Sequence, residues 1–201
     1  MSLGRIREVE IQVRIAPRVP RFRIRPATLR DLGVLVRHRR RMWEDMGEGD
    51  RVELDAADTV YRRWARRRLK TKRLVGFILE DTKRRAVASG CIWLQPTQPH
   101  PSRTTTLRPY LLSMFTEPEY RDRGLATRIV REAVRWCKEH RYARLTLHAS
   151  REGRGLYQRL GFARTWEMRI KILSRSAPRS RRRHEATQMI RPGDRDTPTR
   201  S

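Results

Sequence analysis

The sequence predicts a single α/β domain in which one mixed sheet carries helices on both faces. The first observation is the order of apolar patterns, which run as strand, two helices, hairpin, strand, helix, strand, helix and strand. The second is the length of 201 residues, which suits one sizeable domain with extensions. The third is a hydrophobic content of 37%, which is enough for a core beside 35% charged residues.

The domain is expected to span residues 21–173, between two basic extensions. Residues 1–20 carry four Arg against two Glu and predict a flexible N-terminal extension. Residues 174–201 carry eight Arg against three acidic residues and few large apolar side chains, which predicts a disordered tail. Because no apolar run approaches the length of a membrane span and no signal peptide is evident, we expect a cytoplasmic protein.

The N-terminal half predicts a strand, two helices and a hairpin. Residues 22–25 alternate as a strand does, and Thr28 and Asp31 have the spacing of a capping box before the first helix. A second helix is expected from about Asp55, followed by hairpin strands at 74–80 and 86–94. The inward face of the second helix is predicted to comprise Ala57, Val60, Tyr61 and Trp64.

The C-terminal half predicts strands alternating with helices. The apolar run 110–116 predicts a strand, and a long amphipathic helix follows it. A strand at 145–149, a short helix at 156–160 and a final alternating strand at 166–172 complete the sheet. The buried stripe of the long helix is predicted to comprise Ala126, Ile129, Val130, Ala133 and Cys137. The two cysteines, Cys91 and Cys137, are expected to be small buried thiols rather than disulfide partners or metal ligands.

The turn between the 110–116 strand and the long helix predicts an anion site. A strand that runs through glycine and small residues into a helix leaves backbone N–H groups unpaired at the helix N-terminus. Gly124 lets a ligand approach the backbone closely, and Arg121 and Arg123 add positive charge. The alternative is an ordinary strand-to-helix turn with solvated arginines.

Two motifs in this half resemble signatures of the GNAT acyltransferase superfamily. Arg121-x-x-Gly124-x-Ala126 is similar to Q/R-x-x-G-x-G/A, whose turn amides hold the pyrophosphate of acetyl-CoA in that family. Leu156-Tyr157-x-x-Leu160-Gly161-Phe162 resembles the second signature, a short helix with an LYxxLGF-like ending. The resemblance covers about residues 21–172 and points to a generic bacterial branch. It implies the GNAT fold, a mostly antiparallel sheet with one splayed parallel strand pair.

The resemblance implies an N-acetyltransferase that moves an acetyl group from acetyl-CoA to a primary amine in a ternary complex, without a metal. Tyr157 matches the family's tyrosine that protonates the departing sulfur, and a core aromatic with a bonded hydroxyl is the alternative. His148 and Glu117 are general-base candidates, with structural or solvent-facing roles as the alternative. The residues expected to hold acetyl-CoA are Met114, Phe115, Thr116, Arg121, Asp122, Arg123, Gly124, Leu125, Ala126, Thr127 and Ser150.

An acidic segment between the first two helices is the one hint about the acceptor. Residues 44–58 hold seven acidic residues against a single Arg51, and such a patch attracts a cationic amine. Helix capping is the alternative, since acidic side chains favour helix starts. The seven are Glu44, Asp45, Glu48, Asp50, Glu53, Asp55 and Asp58.

The net charge of +26 suggests other function classes. Basic runs at 37–41, 62–72 and 179–183 fit a nucleic-acid- or ribosome-associated protein. No recognised nucleic-acid-reading motif accompanies them, so we expect only non-specific electrostatic binding. A CoA-binding regulatory domain without catalysis is a further alternative, against which Gly124, Ala126 and Tyr157 argue. Because members of the family often dimerise, the resemblance is also compatible with a homodimer.

Overall fold

One five-stranded sheet of order β1-β2-β3-β4-β5 lies at the centre of a computed structural model that describes residues 22–99, 101 and 105–170. Neighbouring strands pair antiparallel, except that β4 and β5 are parallel. The predicted mixed sheet with one parallel pair is therefore confirmed. The strands are β1 (Arg23–Pro26), β2 (Leu74–Glu80), β3 (Ala86–Pro96), β4 (Leu107–Thr116) and β5 (Thr146–Leu147).

Helices cover both faces of the sheet, as predicted. Side chains alternate between the faces of a strand, so Phe77 and Leu79 of β2 join one buried cluster and Ile78 joins another. The first cluster includes the long helix α3, and the second includes α1 and α2. The helices are α1 (Leu32–Asp45), α2 (Arg51–Lys70), α3 (Leu125–Glu139) and α4 (Arg154–Arg159), with single 3-10 turns at Leu29–Asp31 and Pro118–Tyr120.

Two capping boxes set where helical structure begins near the N-terminus. Thr28 and Asp31 form the predicted box, which starts the 3-10 turn before α1. Asp50 accepts a hydrogen bond from the backbone N–H of Glu53, and the Glu53 side chain accepts one in return from the backbone of Asp50. This second box starts α2 at Arg51, four residues earlier than expected, because the cap satisfies N–H groups that would otherwise be unpaired.

The buried stripes of α2 and α3 differ in part from the prediction, and the predicted Ala57 and Trp64 of α2 are half-buried. Helix α2 buries Leu54, Tyr61 and Ala65. Val60 is 59% exposed, so its predicted inward position is wrong. It precedes Tyr61 by one residue and is therefore rotated by about 100° from the stripe. In α3, Ala126 is only half-buried at the first turn.

The predicted final strand is not formed in the part of it that the structure describes. Residues 164–170 belong to a second unit and contain neither helix nor strand. An alternating pattern such as that of Trp166 and Met168 specifies which side chains share a face, but it supplies no hydrogen-bonding neighbour. The rest of that strand and both predicted extensions, residues 1–20 and 174–201, lie outside the described residues.

Strand β4 contains a bulge near its C-terminal end. The register of β3 against β4 changes at Gly90, so that Ser113 and Met114 both oppose this one residue. Ser113 has a φ of +53°, in the left-handed region that side chains rarely adopt. Glycine at position 90 makes room for these neighbours: a Cβ there would lie 2.3 Å from the sulfur of Met114 and 2.8 Å from Cγ2 of Ile129, so both side chains would have to shift. A bulge bends its strand, and this one redirects the end of β4.

The parallel pairing of β4 with β5 is limited to two residues of each strand. Tyr110 pairs with Thr146, and Leu111 pairs with Leu147. Beyond Leu111, the described part of β4 pairs with β3 alone. The two parallel strands therefore splay apart, as the resemblance implied.

A buried polar cluster ties α1 to the ends of β3 and β4. The ring of His38 is fully buried, with Nδ1 2.9 Å from Oγ of Ser89 and Nε2 3.4 Å from Oε1 of Glu117. The carboxylate of Glu117 is itself buried and forms an ion pair with Arg41. Burial, followed by the charges of Arg37 and Arg41, lowers the pKa of His38 to about 4. His38 is therefore neutral at neutral pH.

We expect Gly90→Ala to destabilise the protein by about 1–3 kcal/mol, because Met114 and Ile129 must move to admit the methyl group. The free energy of urea unfolding measures this. Gly33→Ala is the matched control: it lies in α1 with nothing within 4 Å of the added Cβ. That substitution is expected to stabilise the helix by about 0.5–1 kcal/mol. An unchanged unfolding free energy for Gly90→Ala would contradict the close packing of Met114 and Ile129 against Gly90.

The stability of the fold should fall as the pH is lowered from about 6.5 to about 4. The pKa of His38 is depressed in the native state, so the unfolded chain takes up the proton first, and the stabilisation present above pH 6.5 is lost. The expected loss between pH 7 and pH 5 is about 2 kcal/mol, measured by urea unfolding. His38→Gln retains a polar side chain beside Ser89 and should reduce this pH dependence. If the unfolding free energy of His38→Gln changed with pH as much as that of the wild type, His38 would not be the source of the pH dependence.

Candidate active site

A cleft of about 650 Å³ opens where β4 and β5 diverge. The C-terminal end of α1, the end of β4, the first turn of α3 and the region of α4 form its walls. The cleft therefore lies in the gap between the two splayed parallel strands, where the resemblance places the acetyl-CoA site. The predicted residues that line it are Met114, Phe115, Thr116, Arg121, Asp122, Gly124, Leu125, Ala126, Thr127, Ser150 and Tyr157.

The turn at the start of α3 presents a row of unpaired backbone N–H groups to this cleft. Within the described residues, no N–H from Asp122 to Thr127 donates to a protein acceptor. Gly124 adopts a φ of +71°, and nothing lies within 4 Å of where its Cβ would be. The positive end of the α3 dipole lies at the same place. This combination of free donors, open space and helix dipole is the arrangement that binds phosphate groups at helix N-termini.

The two arginines of the turn have protein contacts. Arg121 forms an ion pair with Asp45 at the end of α1, and its Nε donates to the carbonyl of Thr116 at 3.1 Å. Arg123 does not line the cleft, and its guanidinium donates to the carbonyl of Glu119 at 2.9 Å. Arg121 therefore links α1 to the end of β4 at the cleft, and the alternative of solvated arginines does not describe it.

Tyr157 brings a phenol to the cleft from α4. Its ring packs edge-on against Phe162, with centroids 5.8 Å apart. Its hydroxyl makes no hydrogen bond to any described residue, so the bonded core tyrosine that was the alternative is not what the structure has. Burial raises the pKa of Tyr157, which keeps the phenol protonated at neutral pH. The phenol of Tyr157 is therefore protonated and has no hydrogen-bond acceptor among the described residues.

Ser150 lines the cleft near Tyr157, and its hydroxyl also forms a hydrogen bond within the protein. Its Oγ accepts a hydrogen bond of 3.1 Å from the backbone N–H of Gly153, at the start of α4. Because it also lines the cleft, its hydroxyl fixes the entry to α4 beside the candidate site.

The structure does not bring the two general-base candidates into the cleft. Glu117 turns toward α1, where its carboxylate is held by Arg41 beneath the end of β4. His148 is exposed, and its Nδ1 contacts the hydroxyl of Tyr110. Neither side chain lines the cleft, and the contacts of Glu117 match the structural role that was its alternative.

Most of the acidic segment is engaged within the protein. Asp50 and Glu53 cap α2, as the alternative interpretation held. Arg40 pairs with Glu44, Asp55 and Asp58. Of the seven acidic residues, Asp45 is the one that lines the cleft, and it is joined there by Asp122 and Glu152.

Sequence reasoning missed the contribution of α1 to the site. Met42, Asp45 and Met46 line the cleft from the last turn of α1. Their spacing of three and four residues places them on one helix face, which is a signal that the sequence contains. The bulge residue Ser113 was also missed, since a left-handed serine inside a strand has no local signature.

Within the described residues, no cluster of His, Cys, Asp or Glu has the arrangement of a metal site, and none of the helices combines the length and apolarity of a membrane span. Cys91 and Cys137 are buried free thiols. Burial raises the pKa of Cys91 to about 12 and that of Cys137 to about 11, so neither is a reactive thiolate at neutral pH.

Solved structures with the same architecture are acetyltransferases. A GCN5-related N-acetyltransferase from Ralstonia eutropha JMP134 is 30% identical, with a TM-score of 0.68 over 75% of this chain and 98% of its own. A predicted acetyltransferase from Clostridium acetobutylicum, solved with acetyl-CoA, is 28% identical, with a TM-score of 0.68 over 75% and 96%. The aminoglycoside N-acetyltransferase AAC(6')-Iy, solved with CoA, is 20% identical, with a TM-score of 0.60 over 80% and 99%, and supports the fold alone.

The family comparison covers the same region as the site. The profile of the Acetyltransferase (GNAT) family matches residues 34–162, from α1 through the end of α4. No curated protein matches the chain. The match extends over more than half of the chain and includes the splayed strands, the turn at Gly124 and Tyr157. The chain therefore belongs to the GNAT acetyltransferase family.

Proposed function

We propose that this chain transfers the acetyl group of acetyl-CoA to a primary amine in a ternary complex. The observation that carries the proposal is the row of unpaired N–H groups from Asp122 to Thr127, next to the gap between β4 and β5. Acetyl-CoA combines a diphosphate with a long, narrow arm that ends in a thioester. The Clostridium relative, which was solved with acetyl-CoA, supports the choice of this cosubstrate.

Two parts of the cleft fit two parts of acetyl-CoA, its diphosphate and its amide-bearing arm. The free amides around Gly124 would hold the diphosphate, since backbone donors and the α3 dipole both favour negative charge there. The end of β4, residues 114–116, would bond to the amide-bearing arm as to an added strand. Arg121 donates one hydrogen bond to the carbonyl of Thr116, and the second lone pair of this oxygen can still accept from the arm.

The chemistry proposed is direct acyl transfer. The amine nitrogen attacks the thioester carbonyl, the new N–C bond forms and the C–S bond breaks. The sulfur leaves with the bonding electron pair and takes a proton from Tyr157, whose unpaired hydroxyl lies in the cleft wall. Backbone N–H groups near the bulge would stabilise the negative charge that develops on the carbonyl oxygen. Since Glu117 and His148 lie outside the cleft, we propose that water carries away the proton of the attacking amine.

The proposed acceptor is a primary amine that carries further positive charge. Asp45, Asp122 and Glu152 line the cleft together with Arg121 and Arg159. Arg121 is ion-paired with Asp45, so Asp122 and Glu152 are the carboxylates that would attract a cation there. Met42 and Met46 add apolar surface beside Asp45, which suits an acceptor with an apolar part next to its charged groups.

Tyr157→Phe tests the proposed proton donor. We expect kcat to fall by about 10²–10⁴, because loss of a general acid removes an interaction made in the transition state, with little change in the KM for acetyl-CoA. Release of the CoA thiol measures the rate. Tyr142→Phe is the matched control, since Tyr142 also has a pKa raised by burial but packs against Trp136, outside the cleft. Equal kcat values for the two variants would exclude Tyr157 as the donor.

The same assay, run over a panel of amines, separates the candidate functions. Polycationic amines such as polyamines and aminoglycosides are expected to react faster than monoamines of similar size. If calorimetry shows that CoA binds while no amine releases thiol, the chain is a CoA-binding domain without catalysis.

A further inference from the structure

The outer side of α2 and the turn after it concentrate positive charge. Eight Lys and Arg residues fall between Asp58 and Glu80, and no acidic residue does. One of them, Arg68, is half-buried. The exposed residues, which form the α2 basic surface, are Arg62, Arg63, Arg66, Arg67, Lys70, Lys72 and Arg73.

The charges of this surface are not neutralised by the protein. Within the described residues, no member of the α2 basic surface forms an ion pair with a carboxylate. Some cations elsewhere are paired: Arg25 with two carboxylates, Arg40 with three and Arg135 with two. Others, such as Arg131 and Arg144, form no ion pair with a described carboxylate either, so this surface is distinguished by seven unpaired cations that lie together.

The helix arranges these cations in rows. With a rise of about 1.5 Å per residue, Arg62, Arg66 and Lys70 follow one another at about 6 Å, and Arg63 and Arg67 form a second row beside them. Like charges at this spacing repel one another and destabilise a helix. A ligand with many regularly spaced negative charges relieves the repulsion, and a phosphodiester backbone is such a ligand.

The neighbouring aromatic rings indicate which part of a nucleic acid the surface contacts. Tyr61 stacks on Trp64, with centroids 5.6 Å apart, and the guanidinium of Arg68 lies 4.2 Å from the Trp64 ring. Arg68 also lies 5.5 Å from the ring of Trp93. These partners occupy the rings, so they offer no free platform for stacking bases. The contacts available are to phosphates, which carry no sequence information.

An anionic membrane suits the surface less well. A helix that binds a membrane inserts an apolar side into the lipid. The apolar side of α2, which includes Tyr61 and Ala65, is buried against α1 and the sheet. On the rest of α2 the exposed large apolar side chains are Val52 and Val60, which are too few to form an apolar side that inserts into lipid.

We propose that the α2 basic surface binds the phosphate backbone of nucleic acid without base specificity. None of its seven residues lines the cleft. Nucleic-acid binding is therefore independent of acetyl transfer, and either activity can fail without the other.

The test is fluorescence anisotropy of a labelled oligouridine of about twenty nucleotides with the full chain, between about 0.05 and 0.2 M salt. Two variants remove equal positive charge. The α2 variant replaces Arg62, Arg63, Arg66 and Arg67 with Gln. The tail variant replaces Arg179, Arg181, Arg182 and Arg183 with Gln.

The α2 variant is expected to bind at least about tenfold more weakly, and the slope of log K against log salt should decrease by up to about 3, since each lost phosphate contact contributes about 0.7. The tail variant should retain most of the affinity and slope. A mixed-sequence RNA of the same length should bind the wild type as tightly as oligouridine does, since phosphate contacts carry no sequence information. Acetyl transfer should stay at the wild-type rate in both variants.

Equal losses in the two variants, or a larger loss in the tail variant, would overturn the proposal, because net charge or the tail would then govern binding. Stronger binding to phosphatidylserine vesicles than to RNA, with the same dependence on the α2 arginines, would also overturn it. Should the fourfold α2 variant unfold, Arg62→Gln with Arg66→Gln removes two of the three cations of one row, and the same comparison applies to a tail variant with Arg181→Gln and Arg182→Gln.

Discussion

The early end of the pairing between β4 and β5 is the constraint on which the site depends. A parallel pair that continued to the end of β4 would fill the gap with backbone hydrogen bonds. Instead the pairing stops at Leu111, and the bulge at Ser113 and Met114 bends the strand away. Gly90 contributes to the bulge, because a residue without Cβ leaves room for the side chain of Met114.

The gap becomes a ligand site because unpaired polar groups surround it. The N–H groups from Asp122 to Thr127 have no protein acceptor within the described residues, and the hydroxyl of Tyr157 has none either. The carboxylate of Glu117, by contrast, is ion-paired with Arg41 below the site. The structure therefore separates groups that stabilise the fold from groups left available to a ligand.

How much of this the sequence predicts depends on whether the signal is local. The hairpin strands and the turn at Gly124 follow from alternation and from a short motif, and both are found near the predicted positions. The ion pair of Glu117 could not be predicted from the sequence, because its partner Arg41 lies 76 residues away, which no local pattern reveals. The start of β4 was placed three residues late because Pro109 resembles a loop residue, yet it lies just before the pairing with β5 begins.

The most direct test of the account is a titration of the isotope-labelled protein with CoA, followed by backbone amide resonances in NMR spectra. The account predicts that the amides from Asp122 to Thr127 shift and exchange more slowly with solvent, because each acquires a phosphate acceptor, and that the amides at the end of β4 respond with them. Unchanged resonances at this turn, with CoA bound elsewhere on the protein, would contradict the central claim.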